Sequence, residues 1–234
     1  MCFFAILGLV AFAAAATIYA FAREAILLSR QEQLRSEAAT NASAARCGVL
    51  ADDIPVAHTP PGGYGNSFPA PVLATCTEPL VEGAPDLRGI WKTLRAERGG
   101  TTAPEGDRIY HYVERIEQCG NRIVDMGGGT VSDGRADGTE KNGIHDVWVF
   151  DYKTPLRVIV TFEDGIFVLR PLLIPGTPVT IPFVEVARRL DEEGHMIWTR
   201  PDMGGLKVTL ARIGGPNDSY TRTDLPNSTT GGRE

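Results

Sequence analysis

The second half of the chain alternates between apolar and polar residues, and this period of two limits the folds open to it. Residues 206–213 place Leu206 and Val208 on one face of an extended strand and Lys207 on the other. Residues 156–162 alternate in the same way. The pattern predicts short strands at about 88–96, 110–118, 121–125, 129–133, 145–151, 156–162, 166–170, 179–187, 195–200 and 206–213.

The segments between these strands have the composition of tight turns. Gly120-Asn121 is a typical hairpin sequence, and Glu163-Asp164-Gly165 is another. No stretch has a helical period long enough to connect parallel strands. Residues 85–214 are therefore predicted to be all-β, as an antiparallel up-and-down barrel. A two-sheet sandwich is the alternative, because it would show the same alternation and turn spacing.

Gly89 and Trp91 stand on the first predicted strand, and Arg212 stands near the end of the last. This G-x-W motif with a basic partner resembles the lipocalins and the wider calycin group over residues 85–214. The resemblance implies that these three residues close one end of the barrel, with the guanidinium across the indole. The chain also resembles uncharacterised bacterial proteins that join a lipocalin-like domain to an N-terminal membrane segment, which implies a fold but no activity.

The first segment has the character of a membrane span. Residues 2–22 carry no charge, and about 20 apolar residues in a helix match the hydrocarbon core of a bilayer. Strong helix formers follow, so residues 1–40 are predicted to form a transmembrane helix and a helical stalk. Ala20-Phe21-Ala22 also has the pattern of a signal-peptidase site. An uncleaved signal-anchor is the favoured interpretation, and a cleaved signal peptide is the alternative.

The orientation of this span has opposing signals. Arg23 and the arginines after it follow the span, and by the positive-inside rule they favour a cytoplasmic domain. Cys47, Cys76 and Cys119 lack CxxC or Cys/His spacing, and two of them could pair in an oxidising compartment. With the cleavage-like triplet, they lead us to expect a single-pass membrane protein whose β-domain is extracytoplasmic, in the periplasm.

Two further segments flank the barrel. Residues 41–84 are too rich in proline and glycine for a regular element, and they predict an extended connector. Aromatic residues such as Tyr64 and Phe68 indicate that the connector lies on the barrel wall or on a partner. Residues 215–234 have little to bury, and we expect them to form a disordered tail.

Charge and motifs disfavour several functions. The net charge is −6 with no cluster of Lys and Arg, so nucleic acid is not expected as a partner. No Ser/His/Asp, Cys/His or paired-carboxylate signature is present, so no catalytic residue is assigned and an enzyme is not the favoured interpretation. No cofactor is identified. Histidines on different predicted strands could converge on a haem or a metal, but no ligand spacing supports this for His111, His145 and His195.

The glycine-rich stretch at 120–143 departs from the calycin pattern and leaves the strand register there open. It lacks the Gly-Lys-Ser/Thr ending of a phosphate-binding loop. A calcium site at Asp133, Asp137 and Glu140 would lack the spacing of a calcium-binding loop. Glycine-dependent turns are the favoured interpretation, and no metal site is assigned.

A barrel of about eight or more strands can enclose one small ligand. Aromatic residues on the predicted strands are candidates to line it: Trp148, Phe150, Phe162, Phe167 and Trp198. We therefore expect a membrane-anchored protein that binds a small hydrophobic ligand at the membrane surface. The same side chains would equally well fill a solid core, and a lumen of several hundred Å3 would distinguish the two cases.

Two other functions stay open. Small residues between Gly8 and Ala15 suit close helix packing, so the protein could be a non-catalytic accessory subunit of a larger membrane complex. It would dock through its helix and connector. An isomerase or hydrolase built on the barrel would need a perturbed titratable pair at the mouth of the lumen.

Overall fold

A computed structural model describes residues 48–172 and 185–223, together with Arg30 and Glu32. The chain divides into two units, Met1–Gly48 and Val49–Glu234, and every strand found among the described residues belongs to the second. The predicted span lies outside the described residues. Within the described part of the chain, no helix has the length and apolar character needed to cross a bilayer.

The strands of the second unit form one antiparallel sheet of 11 strands. Their bounds are β1 Gly89–Arg98, β2 Thr101–Thr102, β3 Val113–Cys119, β4 Arg122–Gly127, β5 Thr130–Arg135, β6 Ile144–Val147, β7 Pro155–Glu163, β8 Ile166–Pro171, β9 Val186–Leu190, β10 Met196–Arg200 and β11 Leu206–Gly214. Of the strand predicted at 179–187, residues 179–184 lie outside the described residues. The rest overlaps β9, which begins at Val186.

Two strands begin or end well inside the ranges that the sequence predicted. The strand expected at 110–118 begins only at Val113, because Arg108–His111 forms a short 3-10 helix. The strand expected at 145–151 ends at Val147, and a turn follows it. In the glycine-rich region, β4 and β5 pair residue by residue without a bulge, which fixes the register that the sequence left open.

The sheet curls until its first and last long strands are neighbours. Around the barrel the order is β5-β4-β3-β1-β11-β10-β9-β8-β7-β6, and the short β2 pairs with β1. Strands β1 and β11 run side by side from Ile90 opposite Gly214 to Arg98 opposite Leu206. Apart from β5 and β6, which are the two ends of this order, consecutive long strands pair with each other, as expected of an up-and-down meander.

The two ends of this order also approach each other. At β5 and β6, the backbone N–H of Arg135 donates to the carbonyl oxygen of Asn142 at 2.7 Å. A Cβ atom on Gly134 would lie only 2.8 Å from Cγ1 of Ile144, so glycine permits the close approach. The predicted all-β antiparallel barrel is confirmed in a nearly closed form.

One end of the barrel is closed at the G-x-W motif. Trp91 is fully buried, and its indole N–H donates to the carbonyl oxygen of Leu87 at 2.7 Å. The guanidinium carbon of Arg212 lies 4.7 Å from the indole ring centroid. Gly89 has φ +148°, and a Cβ there would lie 3.0 Å from the carbonyl oxygen of Gly214 and 3.1 Å from Cγ of Arg212. Glycine is thus required where the arginine stem crosses the first strand.

The connector packs on the outer faces of β3, β4 and β5, and we call residues 49–83 the outer strap. An apolar cluster separate from the barrel interior joins them: Ala51, Leu73, Cys119, Val124, Met126 and Val131, with Tyr64, Phe68 and Val72 against it. Of the two positions that the sequence allowed for the connector, the structure shows the barrel wall.

A buried arginine holds the beginning of the outer strap. The side chain of Arg122 on β4 is fully buried and forms two hydrogen bonds with Asp133 on β5, at 2.8 and 2.7 Å. Its remaining N–H groups donate to backbone carbonyl oxygens of the strap, at Ala51, Ile54 and Pro55, over 2.6–2.8 Å. One guanidinium therefore satisfies a carboxylate and three carbonyl groups at once.

A second buried ion pair holds the middle of the strap. Glu117 on β3 accepts hydrogen bonds from the backbone N–H groups of Val72 and Leu73, both at 2.7 Å. Its other oxygen lies 3.2 Å from Nε of Arg115, whose guanidinium lies over the ring of Phe68 at 5.2 Å. Buried charges on the outside of the barrel thus replace hydrogen bonds that an extended segment cannot make within itself.

A disulfide joins the end of the strap to the barrel. Cys76 and Cys119 on β3, two of the three candidates from the sequence, are bonded to each other. Cys47 lies outside the described residues. The bond closes a loop between residues 43 positions apart, which limits the freedom of the strap in the unfolded chain.

The first part of the segment predicted as a tail is also in contact with the strap. Residues 215–223 are described, and the backbone N–H of Arg222 donates to the carbonyl oxygen of Asn66 at 2.8 Å. Residues 224–234 lie outside the described part of the chain.

Replacing Arg122 tests whether the strap is held by its buried charge. Arg122→Leu should lower the free energy of unfolding by about 3–5 kcal/mol, because the buried carboxylate of Asp133 loses its partner. Urea denaturation followed by circular dichroism measures the loss. The control is Arg157→Leu, which breaks an exposed pair with Glu140 and should cost less than about 1 kcal/mol. Equal losses in the two variants would contradict a central role for Arg122.

Candidate functional site

A cavity opens at the end of the barrel opposite Trp91. Successive strands run in opposite directions, so the connections that follow β4, β6, β8 and β10 lie at the same end of the barrel. We call this end the open end. The cavity there has a volume of about 480 Å3. It is lined by Tyr112, Asp125, Gly127, Gly128, Thr130, Ser132, Ile144, Val147, Trp148, Val149, Phe150, Leu156, Val158, Leu169, Pro171, Val186, Trp198, Arg200, Asp202 and Met203. This volume lies within the range of about 300–1,000 Å3 typical of small-molecule sites.

The walls are mostly apolar and the rim is aromatic. Strands β6 to β8 contribute side chains such as Ile144 and Leu169 to the walls. At the rim, the Trp148 and Phe150 rings lie 5.3 Å apart, and 72% of Phe150 is exposed to solvent. Met203, also at the rim, is exposed as well. Large apolar side chains left in solvent beside a cavity are typical of an entrance for an apolar ligand.

The aromatic residues predicted to line a ligand site fall into two groups. Trp148, Phe150 and Trp198 line the cavity. Phe162 and Phe167 do not line this cavity; their ring centroids are 6.0 Å apart, and Phe167 is fully buried in the barrel interior. Alternation along β7 and β8 predicted inward side chains, but it carries no information on how far along the barrel axis they lie.

The floor of the cavity holds charged residues that the sequence did not identify. Arg188 on β9 points into the barrel, and its Nη2 lies 2.8 Å from Oε2 of Glu114 on β3 and 2.8 Å from Oδ2 of Asp125 on β4. All three residues are buried. We call them the acid–arginine cluster. Asp125 is the member that lines the cavity.

Aromatic side chains surround the acid–arginine cluster. The guanidinium of Arg188 lies 5.6 Å from the ring centroids of Phe167 and Trp198. Tyr112 stacks on Trp198 with centroids 4.8 Å apart, and its hydroxyl donates to Glu114 at 2.9 Å. The rings exclude water from the charges, which strengthens the ion pairs and raises the cost of any group left without a partner.

The cluster is short of hydrogen bonds on its inner side. Oδ1 of Asp125, Nη1 of Arg188 and the indole nitrogen of Trp198 are buried and have no hydrogen-bond partner. Asp125 and Trp198 both line the cavity. Unpaired buried polar atoms are rare in folded proteins, and three of the six in the described residues lie here; the others are Nε of Arg115, Oε1 of Glu117 and Nε of Arg222. Their occurrence beside a cavity makes the floor a candidate recognition site.

Burial perturbs the titration of the cluster. Loss of hydration raises the pKa of Asp125 from 3.8 to about 7; the charge of Arg188 opposes the rise and that of Glu114 adds to it. Burial also raises the pKa of the Tyr112 hydroxyl well above its ordinary value, with the charges of Glu114 and Asp125 in support. No titratable pair at the mouth of the lumen was identifiable from the sequence; Glu114 and Asp125 form such a pair at the cavity floor.

The histidines do not form a common site. Within the described residues, no group of three potential metal ligands combines two of His111, His145 and His195. His145 lies 2.6 Å from the carbonyl oxygen of Glu140, and His195 lies 3.6 Å from Asp191 in its own turn.

The carboxylates considered for calcium have separate partners. Asp133 binds Arg122, Glu140 binds Arg157, and Asp137 accepts from Asn142. The glycine-rich segment therefore serves as strands and turns in the structure.

The missed site residues had a signal in the sequence of β3. In VERIEQC the charged and polar residues occupy both faces, and all seven residues of the strand are buried. Burial on both faces of a strand with charges on each indicates partners on both sides. Which partners these are depends on long-range pairing.

No protein-family model matches the chain, and no curated protein sequence matches it either.

The raised pKa of Asp125 predicts how stability depends on pH. The unfolded chain releases this proton near pH 3.8 and the folded protein near 7, so the folded state holds more protons in between. Stability from this group therefore falls as pH rises from 4 to 7. Asp125→Asn should show a smaller drop in melting temperature between pH 5 and pH 8 than the wild type, by differential scanning calorimetry. An unchanged drop would show that Asp125 does not titrate in this range.

Proposed function

We propose that the barrel binds a small hydrophobic ligand in its cavity, and that residues 2–22 hold it at a membrane surface. The observation that carries the proposal is the cavity of about 480 Å3, with apolar walls and an opening at one end of the barrel. Burial of an apolar molecule against such walls gains about 25 cal/mol for each Å2 removed from water. The exposed ring of Phe150 at the rim suits contact with the apolar surface that supplies the ligand.

The lipocalin-like character of the barrel is part of the proposal. Its support is the closed end, where Gly89 leaves room for the Arg212 stem and the guanidinium covers Trp91. The disulfide between Cys76 and Cys119 supports an extracytoplasmic β-domain, because such bonds persist in oxidising compartments. Docking on a membrane complex through the connector has less support, since the connector's apolar residues pack on the barrel itself.

Filling the cavity tests ligand binding. Ser132 on β5 lines the cavity, so Ser132→Phe should place a ring inside it and abolish binding of the fluorescent probe N-phenyl-1-naphthylamine. The full-length protein in detergent micelles is titrated with the probe, and the probe fluorescence is measured. Subtracting the signal of the variant from that of the wild type removes the contribution of probe that partitions into the detergent.

The matched control for this experiment is Leu94→Phe. Leu94 lies on β1 with 57% of its surface exposed, outside the cavity lining, so probe binding should match the wild type. Equal probe fluorescence for wild type and Ser132→Phe would reject the proposed function.

A second candidate function is acid–base chemistry on the ligand. One observation favours it: burial raises the pKa of Asp125 to about 7 at the cavity floor, close to the value that suits a general acid or base. Glu114 and Tyr112 are joined to it through the same hydrogen-bonded network. Transfer of a proton from one carbon of a ligand to another needs no cofactor.

Deuterium incorporation tests this second function. The protein is incubated in D2O with a total lipid extract, and the molecular masses of the recovered lipids are measured by mass spectrometry. Acid–base chemistry at Asp125 predicts carbon-bound deuterium with the wild type and at least about tenfold less with Asp125→Asn. Lipids of unchanged mass in the wild-type reaction would remove this candidate and leave ligand binding intact.

A further inference from the structure

We propose that the ligand carries a neutral hydrogen-bond donor, such as a hydroxyl group, and binds with that group against Asp125, so that the cavity selects alcohols over carboxylates. The inference rests on the proposed function, because it names the polar end of the molecule that the cavity would hold. It follows from the charges at the cavity floor and from the hydrogen bonds that they lack.

The arginine at the floor does not offer a carboxylate site. Nη2 of Arg188 already contacts both Glu114 and Asp125, at 2.8 Å each. Nη1 of Arg188 has no partner, but Arg188 is not among the residues that line the cavity, and its guanidinium lies 5.6 Å from the ring centroids of Phe167 and Trp198. An incoming carboxylate would therefore meet Asp125 before it could meet the arginine.

The charge balance at the floor also disfavours an anion. Two carboxylates face one guanidinium in the acid–arginine cluster, so the ionised cluster carries an excess of negative charge. At the rim, Arg200 and Asp202 pair with each other at 2.7 Å and cancel. A further negative charge would enter a water-poor site beside a like charge, where repulsion is strong.

A hydroxyl or amide group supplies what the floor lacks. Oδ1 of Asp125 is buried without a partner, although the residue lines the cavity and its side chain is only 9% exposed. An acceptor without a donor costs free energy, and a ligand O–H or N–H removes that cost. Trp198, another residue of the cavity lining, also has its indole N–H buried without a partner.

The titration of Asp125 agrees with this selectivity. Burial and the charge of Glu114 raise its pKa to about 7, because low hydration and a neighbouring carboxylate both disfavour a negative charge at this site. Glu114 and Arg188 of the cluster and the Tyr112 hydroxyl face Asp125 inside the barrel, and Tyr64 of the outer strap interacts with its charge from the other side of the sheet. At pH 8 Asp125 is mostly ionised, so a pH of 8 gives the largest contrast between ligands.

Competition between two ligands with the same chain tests the inference. Dodecan-1-ol and dodecanoate displace N-phenyl-1-naphthylamine from the full-length protein in micelles at pH 8, with Ser132→Phe as the blank for partition. We expect the alcohol to bind at least about tenfold more tightly than the carboxylate. Equal binding, or tighter binding of dodecanoate, overturns the inference while the proposed function stands. Absence of probe binding overturns both.

Removing the charge of Asp125 should narrow the selectivity. In Asp125→Asn the alcohol keeps a hydrogen-bonding partner and the repulsion is gone, so dodecanoate affinity should rise and the ratio should fall several-fold. The matched control is Asp164→Asn, the same change in an exposed turn, where φ is +49° and asparagine is well tolerated. A ratio that falls equally in both variants, or in neither, overturns the role of Asp125. Circular dichroism confirms that both variants are folded.

Discussion

The pairing of β1 with β11 is the constraint on which the rest of the structure depends. It runs from Ile90 opposite Gly214 to Arg98 opposite Leu206, and it turns a series of hairpins into a nearly closed ring. Because the ring leaves few free strand edges, the side chains inside need not form a solid core to protect the backbone. One end can be filled by Trp91 under Arg212, and the other can remain hollow.

Strand β3 connects the two polar systems of the barrel. All of its residues are buried, since its inner face looks into the lumen and its outer face lies under the strap. Outward charges such as Glu117 hold the strap, whereas the inward Glu114 holds Arg188. The outer ion pairs bind backbone groups of the strap, although Nε of Arg115 and Oε1 of Glu117 have no hydrogen-bond partner, whereas the inner cluster borders the cavity. This difference in surroundings distinguishes the structural role of the outer pairs from the recognition role that we propose for the inner cluster.

Much of the fold could be predicted from the sequence, because a local period of two fixes which residues form strands. The contact between Trp91 and Arg212 could also be predicted, because the two residues lie at the two ends of the meander and the G-x-W motif suggested that they touch. The acid–arginine cluster could not be predicted from the sequence. Glu114 and Arg188 are 74 residues apart, and their contact depends on barrel curvature and strand register, which alternation does not encode. For the same reason, alternation puts Phe162 and Phe167 on the inner face but does not fix their depth along the barrel axis, and neither lines the cavity.

The acid–arginine cluster is also hard to explain as a source of stability. Charges moved from water into a protein interior lose hydration, and apolar residues of similar volume are often as stabilising or more so. The cost is highest where polar atoms stay unpaired, as at Oδ1 of Asp125. The barrel interior around the cluster is otherwise apolar, so these charged side chains are an exception to its composition. A ligand that completes the hydrogen bonds gives the arrangement a physical reason, and it places that reason at the floor of the cavity.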